Sequence, residues 1–118
     1  MHNFRRLKIV AKAKALAVFV YRVTGAFPKS EMYGMTSQMR RAATGIGLAI
    51  VEGCGRGSTP DLIRFLRYAN ASAQELEYAA DLAIELRLGD EAVLREIMRL
   101  SVEIQKMIYS WIERLNNK

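Results

Sequence analysis

The side chains in this sequence whose type and spacing could do chemistry are almost all cations. Arg5, Lys8 and Lys12 recur at three and four, which sets them along one stripe of a helix. Arg40 and Arg41 are adjacent, so on a helix they point about 100° apart and cannot both face one neighbour. Arg56 follows a glycine-rich run, and Arg64 and Arg67 come after it at helical spacing. Groups of this kind bind polyanions. Lysine and arginine neutralise phosphates, and a guanidinium can grip one phosphate with two parallel N–H donors. The plainer reading of any one stripe is a solvated helix face. Glu52 is the only acid between Glu31 and Asp61, and it is expected to form a structural ion pair with Arg40, Arg41 or Arg56.

No catalytic or metal-binding arrangement accompanies these cations. The single histidine, His2, lies at the terminus, and Cys54 has neither a second thiol nor a nearby histidine. Glu75 and Glu77 are two residues apart and diverge on a helix, and no Glu-x-x-His of the di-iron bundles occurs. The run Gly53-Cys54-Gly55-Arg56-Gly57 resembles a phosphate-cradling loop only superficially, since no strand precedes it and no Gly-Lys-Ser/Thr follows. It reads as a break between helices. Arg56 would then stand beside the free N–H groups of the next helix, where a phosphate could be held. A protein that is not an enzyme, with no metal and no cofactor, is expected.

The elements that must carry these residues are helical. The chain of 118 residues is a single domain, 1–118, rich in Ala, Leu and Ile with two prolines. One cysteine forms no internal disulfide and suits a reducing compartment. Lys8, Lys12 and Lys14 interrupt the first apolar run, so no leader is expected. No run reaches the roughly 18 apolar residues of a membrane span, and a cytoplasmic protein is expected. Charge is uneven: residues 1–70 hold twelve Lys/Arg and three Asp/Glu, or +9, and residues 71–118 hold six and nine, or −3. That asymmetry suits either a basic face for a polyanion or complementary faces that meet in an oligomer.

Four helices are predicted. The first spans 4–24, with Ile9, Val10, Ala13, Leu16, Ala17, Val20 and Val23 on its buried face, and ends at Gly25 in a left-handed turn, with Phe27 tucked onto the core. The second, capped by Thr36 or Ser37, runs to about Cys54. Its Gly45 and Gly47 each cost about 1 kcal/mol relative to Ala, so close backbone approach is expected there. Ser58-Thr59-Pro60-Asp61 opens the third with a hydroxyl cap, an early proline and an acid on the positive dipole end. The third buries Leu62, Phe65, Leu66, Ala69 and onward to Leu86, carries the acidic stripe Glu77, Asp81, Glu85, and ends at Gly89. Asp90 caps the fourth, whose heptad-like seam is Val93, Ile97, Leu100, Ile104, Met107, Trp111 and Leu115. Short connections make this an all-α, up-down-up-down antiparallel four-helix bundle. In that fold Arg5, Lys8, Lys12, Arg56, Arg64 and Arg67 are expected at one end as a continuous basic patch.

Four stretches also carry a resemblance. They are Phe27-Pro28-Lys29-Ser30-Glu31, Thr36-Ser37-Gln38-Met39-Arg40-Arg41-Ala42-Ala43, Glu52-Gly53-Cys54-Gly55-Arg56, and Phe65-Leu66 with Ala69 and Ser72. Together they resemble the four-helix-bundle proteins of 23S rRNA intervening sequences, relatives of the accessory variability proteins of diversity-generating retroelements. The resemblance implies a ring assembly, typically a homopentamer, RNA as partner, and a reverse transcriptase as partner in the retroelement branch. The segment before Glu52 departs from the family pattern, having Ala49 and no Asn or Pro. Two function classes follow: an RNA-binding adaptor whose contacts include Arg40 and Arg41 with the six cations above, or a structural oligomer whose basic face pairs with its own acidic stripe.

Overall fold

A computed structural model of the chain describes residues 7–117. Helix α1 spans Lys8–Thr24, α2 Met35–Gly55, α3 Thr59–Glu85 and α4 Glu91–Asn116, with a single 3-10 turn at Lys29–Glu31 before α2. Among the described residues there is no strand. Helix α1 packs on α2 and α4, and α3 packs on the same two, so α1 and α3 lie diagonally across the bundle. Four helices closed in this way around one core make a four-helix bundle, measuring 46 × 20 × 20 Å. No helix among the described residues is long and apolar enough to cross a membrane.

The core follows the 3.6-residue period. Leu16 and Val20 from α1, Met39, Ile46 and Ile50 from α2, Leu66 and Leu76 from α3, and Leu94, Ile97, Ile104 and Ile108 from α4 are closed off from solvent. Phe27 is buried as expected. In α4 the expected seam holds at Ile97, Ile104 and Trp111, while the rest of the buried stripe is Leu94, Ser101, Ile108 and Ile112. Val93, Leu100, Met107 and Leu115 are only half-buried. A helix that packs on two neighbours buries a broader stripe than a two-helix seam. The Ser101 hydroxyl is accommodated in that stripe because it donates to the Ile97 carbonyl at 2.8 Å.

The helix ends differ from the sequence expectation in ways that have local causes. Gly25 stays helical, with φ −62°, and the chain turns away through short hydrogen bonds from Ala26 and Phe27 to Val23 and Thr24. Neither Thr36 nor Ser37 caps α2. Gly34 is the cap residue, and the Met35 N–H donates to the Glu31 carboxylate at 3.1 Å, while Thr36 is buried inside the helix. The break between α2 and α3 is shorter than the glycines suggest. Gly53, Cys54 and Gly55 are all helical, and the turn rests on Gly57 with φ +86°. Ser58 does cap α3, accepting from the Asp61 N–H at 3.3 Å, with Pro60 in the first turn.

At its other end α3 stops at Glu85, earlier than Gly89 would have placed it. Arg87 takes the left-handed conformation, φ 55°, and the Leu88 N–H reaches back to the Ala83 carbonyl at 3.1 Å, which closes a Schellman turn without glycine. Leu86, expected in the core, lies just past that end and is exposed. Gly89 serves packing: a Cβ there would stand 3.0 Å from the Phe27 ring. Close helix approach is real at Gly45, where a Cβ would be 3.0 Å from Ser72 Oγ, and closest at Gly53, where it would be 2.8 Å from Phe65 Cβ. At Gly47 the nearest atom is 3.8 Å away, ordinary contact.

Candidate nucleic-acid interface

Three groups of cations result, because the helices face in different directions. Arg5 lies outside the described residues. Lys8 is exposed at the start of α1, near Trp111 and Arg114 of α4. Lys12, one turn on, faces α4, and its ammonium sits 2.6 Å from the Glu103 carboxylate. That hydrogen bond, with the ammonium's charge behind it, lowers the Glu103 carboxyl below its ordinary value. Lys12 is therefore committed inside the molecule.

Arg56 and Arg64 meet at the junction of α2 with α3. Arg56 pairs with Glu52 at 3.2 Å, one helical turn back, and its guanidinium lies 4.9 Å from the centre of the Phe65 ring. Arg64 lies 4.8 Å from the same ring and pairs with Asp61 at 3.1 Å. Its hydrogen bond to the Tyr68 hydroxyl at 3.4 Å and that to Asp61 both raise the guanidinium pKa. Phe65, expected as a core residue, is half-buried and stands edge-on to Tyr68 with centroids 5.3 Å apart. Arg67, also on α3, is exposed and forms no ion pair among the described residues. The ion pair expected of Glu52 is with Arg56, and neither Arg40 nor Arg41 takes part. With the Glu52 side chain 54% exposed, the pair is a surface contact of small worth.

Arg40 stands sixteen residues, and Arg41 fifteen, before Arg56 at the end of α2, about 24 Å along the helix. The structure thus brings Arg56 and Arg64 together but sets Arg40 and Arg41 at the far end and turns Lys12 toward α4. Arg40 is half-buried and has no carboxylate partner among the described residues. Its Nε donates to Thr24 Oγ1 at 2.9 Å, a terminal nitrogen donates to the Tyr21 carbonyl at 3.3 Å, and its guanidinium covers the Tyr21 ring at 4.6 Å. Thr24 Oγ1 in turn donates to the Val20 carbonyl at 2.8 Å, so the acceptor is itself fixed. Arg41 is exposed beside it. A cavity of about 350 Å³ opens here between the two arginines and Tyr21, Tyr33, Ser37 and Thr44.

Sequence reasoning missed the aromatic partners, Tyr21, Phe65 and Tyr68. The i, i+4 spacing of Arg64 and Tyr68 was a usable sign, whereas the Tyr21–Arg40 contact joins two helices and leaves no local pattern. Cys54 is buried, and burial raises its thiol pKa, which keeps it in the protonated form. Among the described residues no group of three or more His, Cys, Asp or Glu is placed to hold a metal ion.

The comparisons give the same overall picture of the chain. A protein with unknown function from the S23 ribosomal protein family of Bacteroides thetaiotaomicron, solved by crystallography, shares 28% identity with it. The two superpose with a TM-score of 0.79, covering 88% of this chain and 97% of that one. No curated protein matches the chain. The 23S rRNA-intervening sequence protein family matches residues 5–110, nearly the whole length, and this four-helix chain belongs to that family.

Proposed function

We propose that the protein is a non-enzymatic, basic RNA-binding adaptor that works in the cytoplasm as a homo-oligomer, a pentameric ring. The observation that carries this reading is which charges are compensated. Of the lysines and arginines in residues 7–70, Lys12, Arg56 and Arg64 have carboxylate partners. Lys8, Lys14, Arg22, Lys29, Arg40, Arg41 and Arg67 form no ion pair among the described residues. On α4 Arg95 pairs with Glu91, and Arg99 with Glu96 and Glu103, while Lys106 and Arg114 form no ion pair among the described residues; there, unlike in residues 7–70, acids outnumber cations, nine to six over residues 71–118. Cations without carboxylate partners are what binding to phosphates uses, each contact releasing condensed counterions. Retention of the wild type on structured RNA at low salt, with release as salt rises, tests the reading; no retention at low salt removes it.

The helix contacts support the up-down-up-down course of the bundle. Arg40 meets Thr24 while Gly47 meets Ala13, and Gly45 meets Ser72 while Gly53 meets Phe65, so residue numbers rise on one helix as they fall on the next. The ring is supported by a groove of about 770 Å³ between α2 and α3. It is lined by small and apolar residues such as Ala42, Gly45, Ala79 and Leu82, a surface that suits close approach of a second copy. The same groove favours the second reading, a structural oligomer with no nucleic-acid role. Light scattering separates the outcomes: a mass near the 13.3 kDa monomer removes the ring, and a ring that ignores RNA at low salt leaves the structural reading. In the retroelement branch a reverse transcriptase is the protein partner, and its co-purification with this chain is the test.

A further inference from the structure

We propose that the cavity at the α1–α2 junction takes one unpaired nucleotide, with its phosphate on Arg40 and Arg41 and its base on the Tyr33 ring. This rests on the RNA reading and assigns it a place and a strand preference. Four observations meet there.

The first is an oriented cation without a counter-charge. Arg40 is half-buried yet is held only by neutral groups: the Thr24 hydroxyl, the Tyr21 carbonyl and the face of the Tyr21 ring. These contacts fix the guanidinium plane and leave its charge in full. A partly desolvated cation of this kind is strongly stabilised by an anion that comes to it, and its fixed fork suits phosphate oxygens. Arg41, also without an ion pair among the described residues, lines the same cavity.

The second is a neutral donor. Ser37 lines the cavity and its hydroxyl makes no hydrogen bond among the described residues, while the Thr44 hydroxyl donates to the Arg40 and Arg41 carbonyls. A hydroxyl able to donate, beside two guanidinia, is the polar equipment of a phosphate-and-sugar site.

The third is the Tyr33 ring, 96% exposed, which no core packing explains. Its backbone is nevertheless tied down. Glu31 on one side accepts the Met35 N–H at 3.1 Å, and Gly34 admits that carboxylate, since a Cβ there would lie 2.9 Å from Glu31 Oε1. A tyrosine presented to solvent on a fixed turn is a stacking platform, and stacking needs a base that is out of its duplex.

The fourth is room. The depression, about 350 Å³ and open to solvent, has space for one nucleotide beside the two guanidinia.

The test uses the full chain with a short fluorescent oligouridine and a blunt RNA duplex of equal length, compared at one salt concentration. Tyr33→Ala should weaken oligouridine binding about tenfold, the loss of one base stack, and change duplex binding less than about twofold. Tyr33→Phe keeps the ring and should restore oligouridine affinity. Arg41→Ala should weaken both probes, because it acts on phosphate. Equal losses on both probes for Tyr33→Ala, or none on either, overturn the nucleotide site while leaving the RNA reading intact. A drop in oligomer mass for Tyr33→Ala, with RNA affinity unchanged, makes the cavity a subunit contact and also overturns it. A wild type that binds neither probe overturns the RNA reading itself. Tyr33 is almost wholly in solvent, so loss of fold does not obscure these outcomes.

Discussion

At one end of α2, Arg40 is held by a hydroxyl, a carbonyl and a tyrosine ring; at the other, Arg56 and Arg64 share the Phe65 ring and each meets a carboxylate. Both ends order their guanidinium groups by stacking. Only the first keeps the charge uncompensated. An arginine beside Glu52 or Asp61 has its field largely cancelled at a distance, and a polyanion must displace that carboxylate before it gains a contact. The α2–α3 end therefore reads as a packed, self-satisfied joint, and the α1–α2 end as a surface prepared for an outside anion.

Packing gives the largest effect with which to break this comparison. Gly53→Ala puts a methyl 2.8 Å from Phe65 Cβ and 3.2 Å from Leu62 Cδ1, two side chains of the joint. Such overpacking should cost about 1–3 kcal/mol in urea unfolding. Gly55→Ala, where nothing lies within 4 Å, should be neutral or stabilising by up to about 0.5 kcal/mol. Equal effects at the two positions would mean that the α2–α3 end is not tightly joined.

Next comes the removal of one arginine from each end. Arg40→Ala loses a charge-assisted hydrogen bond to Thr24 and the stack on Tyr21, which should lower stability by about 1–2 kcal/mol after allowance for its half-exposed setting. Arg40→Lys should recover only part of this, because an ammonium reproduces neither the fork nor the planar stack. Arg64→Ala, which loses exposed contacts, should leave the melting temperature nearly unchanged. A larger loss at Arg64 than at Arg40 would reverse the assignment of roles.

The smallest effect lies on the α1–α4 seam. Glu103 is held below its ordinary value of about 4.5, first by the Lys12 hydrogen bond and then by its charge. A carboxyl depressed in the folded state adds stability above its unfolded pKa, and that stability is lost as pH falls through the folded value. The contribution is thus present at neutral pH and fades below about pH 4.5. Lys12→Ala should remove most of this acid-side loss in a series of thermal melts. An identical pH profile in the variant would show that the contact carries no weight in solution.

Much of the bundle was legible because periodicity reports burial directly. Ile9, Ala13, Leu16 and Val20 on α1, and Leu62, Leu66, Ala69 and Ala73 on α3, are buried as their spacing requires, while Val10, Ala17 and Val23, expected on the same face of α1, flank that stripe and are half-buried. The helix ends were less legible because glycine has several uses. Gly25, Gly53 and Gly55 are helical, Gly89 makes room for Phe27, and a left-handed cap falls instead on Arg87. The α2 cap was hidden because the acceptor is an acid four residues upstream, Glu31. For the candidate site, composition located the basic half of the chain but not which cations are spent. Arg64 has Asp61 three residues before it and Tyr68 four after, and Arg56 has Glu52 four before, so helical spacing points to those contacts, whereas Arg67 has no acid at such spacing. The contacts of Lys12 with Glu103 and of Arg40 with Tyr21 join different helices, and residue spacing does not report them.

The most direct test of the central claim, that uncompensated cations carry RNA binding, is the slope of log Kobs against log salt for a structured RNA in two double variants. Arg41→Ala with Arg67→Ala removes two cations without carboxylate partners and should flatten the slope by about two units. Arg56→Ala with Arg64→Ala removes two cations paired with Glu52 and Asp61, and should flatten it by less than about one unit. The opposite ranking, or equal slopes in the two variants, would contradict the account.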